Sequence, residues 1–221
     1  MARLTPRGWT PYVVAVHAVR RPLLAVALAT PLLLLGACND NNASSPKPTP
    51  SSVPPTPLQS LSTKDLVVRR ETFCTVVSPD AVTAALGGAS KHETSYGNGD
   101  PARVATDVKD VAHEYGCTWR SADGTIASAW VFAPPITRAR AAALLHSPLA
   151  RRCARVPGPD YGAPSAAGRC RTPDGVERTY RGLFGDAWLT CTLSAPGRKE
   201  PADLSDRANR WCAAVATAAA S

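Results

Sequence analysis

A four-residue stretch, Leu35-Gly36-Ala37-Cys38, constrains this chain more than any other because it sets where the mature protein begins. It closes an apolar run with small residues and a cysteine, a pattern typical of a lipobox. We therefore predict that residues 1–37 are a lipoprotein signal peptide and that the Cys38 thiol carries a diacylglyceryl group. The mature protein is expected to be lipid-anchored at the cell membrane, on its extracytoplasmic side.

The residues before Cys38 agree with export. All of the charged residues there are basic, and they precede the apolar segment 23–35: Arg3, Arg7, Arg20 and Arg21. This arrangement fits a basic region followed by the hydrophobic core of a signal peptide. A transmembrane anchor is the weaker alternative, because a spanning helix needs about 20 apolar residues. Ordinary signal peptidase cleavage would leave an unlipidated thiol, and the paired arginines leave twin-arginine export open beside the general secretory route.

The charge of the mature chain argues against a nucleic-acid partner. Four of the 25 Lys and Arg residues precede Cys38, which leaves 21 basic against 17 acidic residues and a net charge of +4. That excess is too small to indicate binding to a polyanion such as DNA or RNA.

Residues 38–62 form the predicted lipidated N-terminus and stalk. The segment is rich in Asn, Ser, Thr and Pro, and its prolines prevent helix and sheet formation: Pro46, Pro48, Pro50, Pro54, Pro55 and Pro57. Some twenty residues of extended chain would hold a folded domain roughly 60 Å from the membrane. The single domain itself is predicted over residues 63–218.

The periodicity of residues 63–218 predicts an α+β fold with an antiparallel sheet of about five strands, in the order αββαβββα. Helices are expected to begin at Ser78, Thr137 and Pro201, where capping residues or proline precede apolar stripes. Residues 89–114 are predicted to be mostly loop. The strands are expected at 115–120, 125–132, 168–172, 176–184 and 187–194, joined in part by Asp-Gly turns.

Six cysteines follow Cys38, an even number that indicates disulfide bonds outside a reducing cytoplasm. Six cysteines permit 15 connectivities. We favour sequential pairing, because Cys191 on an apolar strand face and Cys212 on an apolar helix face would point toward each other. Metal ligation is the weaker alternative, since no zinc-type spacing occurs. The favoured pairs are Cys74 with Cys117, Cys153 with Cys170, and Cys191 with Cys212.

Several short motifs together resemble a known group of proteins. The lipobox and stalk are followed by Phe73-Cys74, by Val77-Ser78-Pro79-Asp80-Ala81-Val82 and by Gly116-Cys117-Thr118-Trp119. This combination resembles secreted actinobacterial lipoproteins built on one small disulfide-bonded domain of unknown function. It is also similar, more weakly, to the extracellular sensor domains of actinobacterial receptor kinases, which implies ligand sensing or binding without catalysis.

The sequence contains no nucleophile elbow, zinc-protease helix, phosphate loop or dinucleotide fingerprint. We therefore expect a non-enzymatic binding or sensing domain that needs no cofactor and no metal. The alternative is an envelope hydrolase with an unfamiliar site, for which His113-Glu114 beside Asp107 and Asp110 is the candidate acid/base group. The tryptophans of the domain are interpreted as packing residues.

One cluster of basic residues suggests a partner. Five arginines flank the proposed Cys153–Cys170 bond, so that this bond would gather them into one patch: Arg151, Arg152, Arg155, Arg169 and Arg171. Guanidinium groups suit carboxylates and phosphates. The hypothesis is that this patch binds an anionic envelope polymer, lipid or protein partner, in addition to the membrane contact made through Cys38.

Overall fold

Nine β-strands and three α-helices make up the part of the chain that the computed structural model describes, residues 56–105, 108–147 and 153–221. These residues all belong to one unit, Pro48–Ser221. The helices are α1 (Pro79–Leu86), α2 (Arg138–Leu145) and α3 (Leu204–Ala219). The strands are β1 (Ser90–Tyr96), β2 (Pro101–Ala105), β3 (Val108–Val111), β4 (Glu114–Ser121), β5 (Ile126–Phe132), β6 (Cys153–Val156), β7 (Ser165–Arg171), β8 (Gly175–Phe184) and β9 (Ala187–Pro196).

Seven of the strands form one antiparallel sheet in the order β1-β4-β5-β9-β8-β7-β6, while β2 and β3 form a separate two-stranded sheet. The α+β class is therefore confirmed. The central pair, β5 and β9, is distant in sequence, since β9 returns across the sheet after the β6–β7–β8 meander. Residues from the two halves of the domain consequently meet in the middle of the sheet.

The predicted count of about five strands, and with it the order αββαβββα, is wrong. Three strands lie within residues 89–114, which were expected to be loop, and β6 was also missed. Strand β1 is exposed along most of its length and pairs with β4 through its backbone. Because neither face of such an edge strand is buried, it carries no apolar alternation by which sequence reasoning could find it.

One face of the sheet packs against α1 and α3, and we call it the helix face. The inward residues of β5 and β9 there are almost fully buried: Ala127, Ala129, Val131, Leu189, Cys191 and Leu193. Trp119 of β4 meets Trp211 of α3 edge to face, with ring centroids 5.4 Å apart. The Trp211 indole N–H also donates to the Thr192 carbonyl at 3.1 Å, which fixes the helix on the sheet.

The opposite face of the sheet, here called the cavity face, is covered only at one end within the described residues. Helix α2 begins where the Thr137 hydroxyl accepts a hydrogen bond from the Arg140 backbone N–H at 3.2 Å, as its sequence predicts. Ala141 packs there with Ile136, Leu183 and Trp188 in a second, smaller apolar cluster. Beyond α2 this face carries the aromatic side chains Trp130 and Phe132 beside polar and charged ones.

Three disulfide bonds join Cys74 to Cys117, Cys153 to Cys170 and Cys191 to Cys212, so the sequential pairing is confirmed. The bond from Cys191 ties β9 to α3 inside the core, where both residues are fully buried. The bond between Cys153 and Cys170 links directly opposed positions of β6 and β7. It therefore holds the short edge strand β6 onto the sheet.

The folded core also includes a residue from the predicted stalk. Leu58 lies in a short 3-10 turn, is 1% exposed and packs in the main core. Its backbone N–H donates to the Asn209 side-chain oxygen of α3 at 2.7 Å. The chain is thus attached to the domain at Leu58, five residues before the predicted domain start at residue 63.

Candidate functional site

A cavity of about 320 Å³ lies on the cavity face, between the end of α2 and the turn that connects β7 to β8. Its floor is formed by β5, β9 and β8, with the Cys153–Cys170 disulfide at one side. The volume falls at the lower end of the range for small-molecule sites, about 300 to 1,000 Å³. This cavity is the candidate functional site.

The end of the cavity next to α2 is apolar. Phe132 of β5 and Trp188 of β9 form its floor, and Leu144 of α2 forms its wall. Trp188 is 3% exposed and belongs to the apolar cluster beneath α2. A flat or hydrocarbon group bound here would contact side chains that are already held in place by the sheet and the helix.

The middle of the floor places an aromatic ring and a guanidinium in one row across the sheet. Trp130 of β5 lies opposite Thr190 of β9, and Thr190 lies opposite Arg181 of β8. Two strand spacings separate the Cα atoms of Trp130 and Arg181 by about 10 Å. Their side chains project from the same face, and all three residues line the cavity.

The far end of the floor is polar and contains one acidic residue. Thr179 and Thr192 are opposite each other, and Glu177 lies one step further along β8, opposite Ser194 and Cys170. The Ser194 hydroxyl donates to the Glu177 carboxylate at 3.1 Å. Four residues along a strand separate Glu177 from Arg181 by about 13 Å at the backbone.

Burial shifts both charged groups of the floor toward their neutral forms. It raises the pKa of the Glu177 carboxyl, against the hydrogen bond from Ser194 and the positive charge of Arg181. It lowers the pKa of the Arg181 guanidinium, which Glu177 opposes and the positive charge of Arg155 reinforces. Partly buried, convergent charges of this kind cluster at functional sites.

Arg181 forms neither a hydrogen bond nor an ion pair with any group in the part of the chain that the structure describes. The negative charge of Glu177 acts to raise the pKa of Arg181, yet the two side chains do not form an ion pair. The guanidinium thus lines the cavity with its N–H donors unpaired within the described residues.

The five arginines of the predicted anion patch do not share one surface. Arg155 lies opposite Gly168 on the cavity face, whereas Arg169 lies opposite Ala154 and points to the helix face. Arg171 is exposed and lines the cavity. Arg151 and Arg152 lie outside the described residues. Alternation along β7 turns Arg169 to the face opposite to the disulfide, whereas Arg171, the last residue of the strand, lines the cavity.

Arg169 instead belongs to an ion-pair cluster on the helix face. The Glu200 carboxylate accepts hydrogen bonds from Arg169 of β7 and, at 2.5 Å, from Arg178 of β8. Burial raises the pKa of Glu200, but the two arginine hydrogen bonds and charges outweigh it and leave that pKa below its usual value. This cluster joins the sheet to the segment before α3. Its two arginines are already paired with Glu200, whereas Arg181 has no such partner among the described residues.

The candidate acid/base group of the hydrolase alternative does not line the cavity. His113 is exposed, and the Glu114 carboxylate accepts a hydrogen bond from the Tyr96 hydroxyl at 2.6 Å. Asp107 lies outside the described residues. Within the described ranges, no three His, Cys, Asp or Glu side chains are grouped as metal ligands would be, and no helix is long and apolar enough to cross a bilayer.

Sequence reasoning missed three of the residues that define this site: Trp130, Glu177 and Arg181. The tryptophans were interpreted as packing residues, which holds for Trp119 and Trp211 in the core. A signal did exist on β8, where Glu177, Thr179 and Arg181 alternate with apolar residues and share one face. The charge of Arg178 on the opposite face obscures that alternation in the sequence.

Comparison with known proteins identifies no relative: no family model matches the chain, and no curated protein matches it. The resemblance to secreted lipoproteins and to sensor domains therefore stays a prediction.

Proposed function

We propose that this chain is a lipoprotein tethered through Cys38 to the outer side of the cytoplasmic membrane, and that its domain binds a small ligand in the cavity beneath α2. The observation that carries this proposal is the composition of the cavity floor. Trp130 and Phe132 offer aromatic surface, while Arg181 and Glu177 offer charges that no ion pair between them neutralises. Apolar walls with a few convergent polar groups are characteristic of small-molecule sites.

Binding is favoured over the alternative of an envelope hydrolase. The hydroxyl groups on the floor are those of Thr179, Thr190 and Thr192, and none of them donates to a base among the described residues. The one carboxylate on the floor, Glu177, accepts a hydrogen bond from the Ser194 hydroxyl, but Ser194 is not among the residues that line the cavity, so this hydroxyl is not placed to attack a ligand there. A nucleophile activated by a neighbouring base, which hydrolysis of this kind requires, has no support in this arrangement.

The disulfide bonds support an extracytoplasmic location, because such bonds persist in oxidising compartments. A rigid scaffold also suits a binding site: one disulfide joins β6 to β7 and another joins β9 to α3, so little rearrangement is needed to admit a ligand. The predicted stalk would place this domain away from the membrane surface, where it can meet ligands within the envelope.

The test uses prodan, a neutral naphthalene fluorophore whose emission increases in apolar surroundings. It is added to the predicted mature chain, residues 38–221, carrying Cys38→Ser, so that neither an acyl chain nor the apolar signal peptide competes for the probe. We expect saturable binding with one site per chain. Thr190→Phe, which puts a ring in the middle of the floor, should abolish it.

The matched control is Thr94→Phe, which adds the same ring on the exposed edge strand β1. This variant should bind prodan as the parent does. Equal binding by the Thr190→Phe variant, with its unfolding temperature unchanged, would show that the probe lies elsewhere and would contradict the proposal.

A further inference from the structure

We propose that the cavity selects an aromatic carboxylate, with the carboxylate bound by Arg181 and the ring lying against Trp130 toward the apolar end. This inference rests on the proposed function and names the class of ligand that the site takes. It assigns the recognition of negative charge to a residue outside the five arginines that the sequence indicated.

Arg181 is the residue that favours a carboxylate. Its guanidinium lines the cavity, is half-buried and lacks a hydrogen-bonding partner among the described residues. A planar guanidinium presents two parallel N–H groups that match the two oxygens of a carboxylate. Because part of its hydration is already lost, such a group gains more from an anion than an exposed arginine does.

The surrounding charges favour an anion over a cation. Arg155 projects from the same face of the sheet and is close enough to lower the pKa of Arg181. Arg171 is at the rim of the cavity. An anion beside Arg181 relieves this repulsion between like charges.

Glu177 limits how much negative charge the ligand can carry. It lines the same cavity further along β8, and its own partner is the Ser194 hydroxyl. A second negative group at that end of the ligand would face this carboxylate. The site therefore suits a single carboxylate at the Arg181 end better than a molecule with negative charges at both ends.

The register of the sheet favours a ligand with an aromatic ring. Trp130 and Arg181 flank Thr190 in one row, and Phe132 and Trp188 continue the apolar surface in the direction of α2. The backbones of Trp130 and Arg181 are about 10 Å apart, so a one- or two-ring acid reaches both side chains. Offset stacking on the indole adds to the area that such a ring buries.

The experiment compares probes that share one body and differ in the head group: naphthalene-2-carboxylate, naphthalene-2-carboxamide and 2-naphthyl phosphate. Binding to the predicted mature chain, residues 38–221, carrying Cys38→Ser is measured by titration calorimetry at pH 7. We expect the carboxylate to bind at least about tenfold more tightly than the amide, as a charge-assisted hydrogen bond implies. Tighter binding of the phosphate than of the carboxylate would overturn the choice of head group.

Two test substitutions and one control show whether Arg181 is responsible for the preference for the carboxylate. Arg181→Gln should weaken the carboxylate about tenfold or more and leave the amide unchanged, while Arg198→Gln, at an exposed position outside the cavity lining, should change neither. Glu177→Gln should act in the opposite direction and strengthen the carboxylate about twofold to fivefold, because it removes a negative charge from the cavity. This second variant keeps the proposal testable if Arg181→Gln folds poorly.

The outcomes separate this inference from the proposed function. If the carboxylate and the amide bind equally well and Thr190→Phe abolishes both, the cavity is a ligand site and the assignment of Arg181 is wrong. A preference for the carboxylate that survives Arg181→Gln also overturns the assignment. If neither probe binds and prodan does not bind, the proposed function itself fails.

Discussion

Glu200 pairs with arginines of two neighbouring strands, β7 and β8, on the helix face. Its carboxylate is 16% exposed and accepts hydrogen bonds from two arginines on neighbouring strands, Arg169 and Arg178. Those two arginines are directly opposed, so that without Glu200 they would repel each other. The pKa of Glu200 is lowered in consequence, and stability becomes dependent on pH.

We predict that Glu200→Gln lowers the free energy of unfolding by about 2 kcal/mol at pH 7, measured by urea denaturation. Because the folded-state pKa is below its usual value of 4.5, the stabilisation is complete above that pH and is lost as the pH falls through the folded-state pKa. The difference between variant and parent should therefore shrink at pH 3. Glu93→Gln, at an exposed position of β1, is the control, and an equal loss there would contradict the account.

At the level of single residues, sequence reasoning found the cysteine pairs but not the cavity floor. Cys191 and Cys212 were placed correctly because each lies on the apolar side of its element, which the periodicity reveals. Arg181 gave no comparable signal, since its importance depends on Trp130, a residue from a strand far away in sequence. Only the pairing of β5 with β9 and of β9 with β8 brings the two together.

The 3-10 turn at Leu58–Ser60 shows how a short element can determine where a domain begins. Its single buried leucine packs beside α3, and its backbone is hydrogen-bonded to Asn209. The proline-rich composition around it predicts a stalk up to residue 62. Composition describes the average of a segment, and one apolar side chain within it is enough to attach the chain to the core.

Leu58→Ala should lower the free energy of unfolding by about 3 kcal/mol, because a leucine that is 1% exposed leaves a cavity when it is truncated. The control is Val67→Ala, at a side chain that is 69% exposed, for which a change within about 0.5 kcal/mol is expected. Chemical denaturation of both variants checks the prediction. A loss at Leu58 no larger than that at Val67 would mean that the turn belongs to the stalk.

Elements buried on one face were predictable, and elements at the edges of the sheet were not. Strands β8 and β9 were located to within two residues at either end, because turns containing glycine bound them and apolar residues alternate along β9. Strand β6 has four residues and no apolar alternation, and it is held by its pairing with β7 and by one disulfide. Backbone pairing of this kind leaves no pattern in the side chains.

At the scale of the whole molecule, the three disulfides and the preformed cavity are consistent with the proposed location outside the cytoplasm. Chain entropy makes the bond across 43 residues, Cys74–Cys117, worth about 4 kcal/mol and the bond across 17 residues, Cys153–Cys170, about 3 kcal/mol. These values are large against the stability of a typical domain. The fold is thus expected to depend on oxidation, and oxidation depends on export.

The tether is tested by the fate of the full-length precursor in cells. We predict that the parent chain is found in the membrane fraction and that its mature N-terminus is Cys38 with the mass of a diacylglyceryl group added. Cys38→Ser should abolish that mass and keep the signal peptide from being cleaved after Ala37 by the lipoprotein peptidase. Cleavage and membrane retention that are the same for both proteins would show that the anchor is not the acyl group.

The most direct test of the central claim is a crystal structure of the protein bound to naphthalene-2-carboxylate. The account predicts that the carboxylate lies within about 3 Å of the Arg181 guanidinium nitrogens and that the ring packs on Trp130 beneath α2. A ligand bound at another surface, with no density in the cavity at saturating concentration, would contradict it.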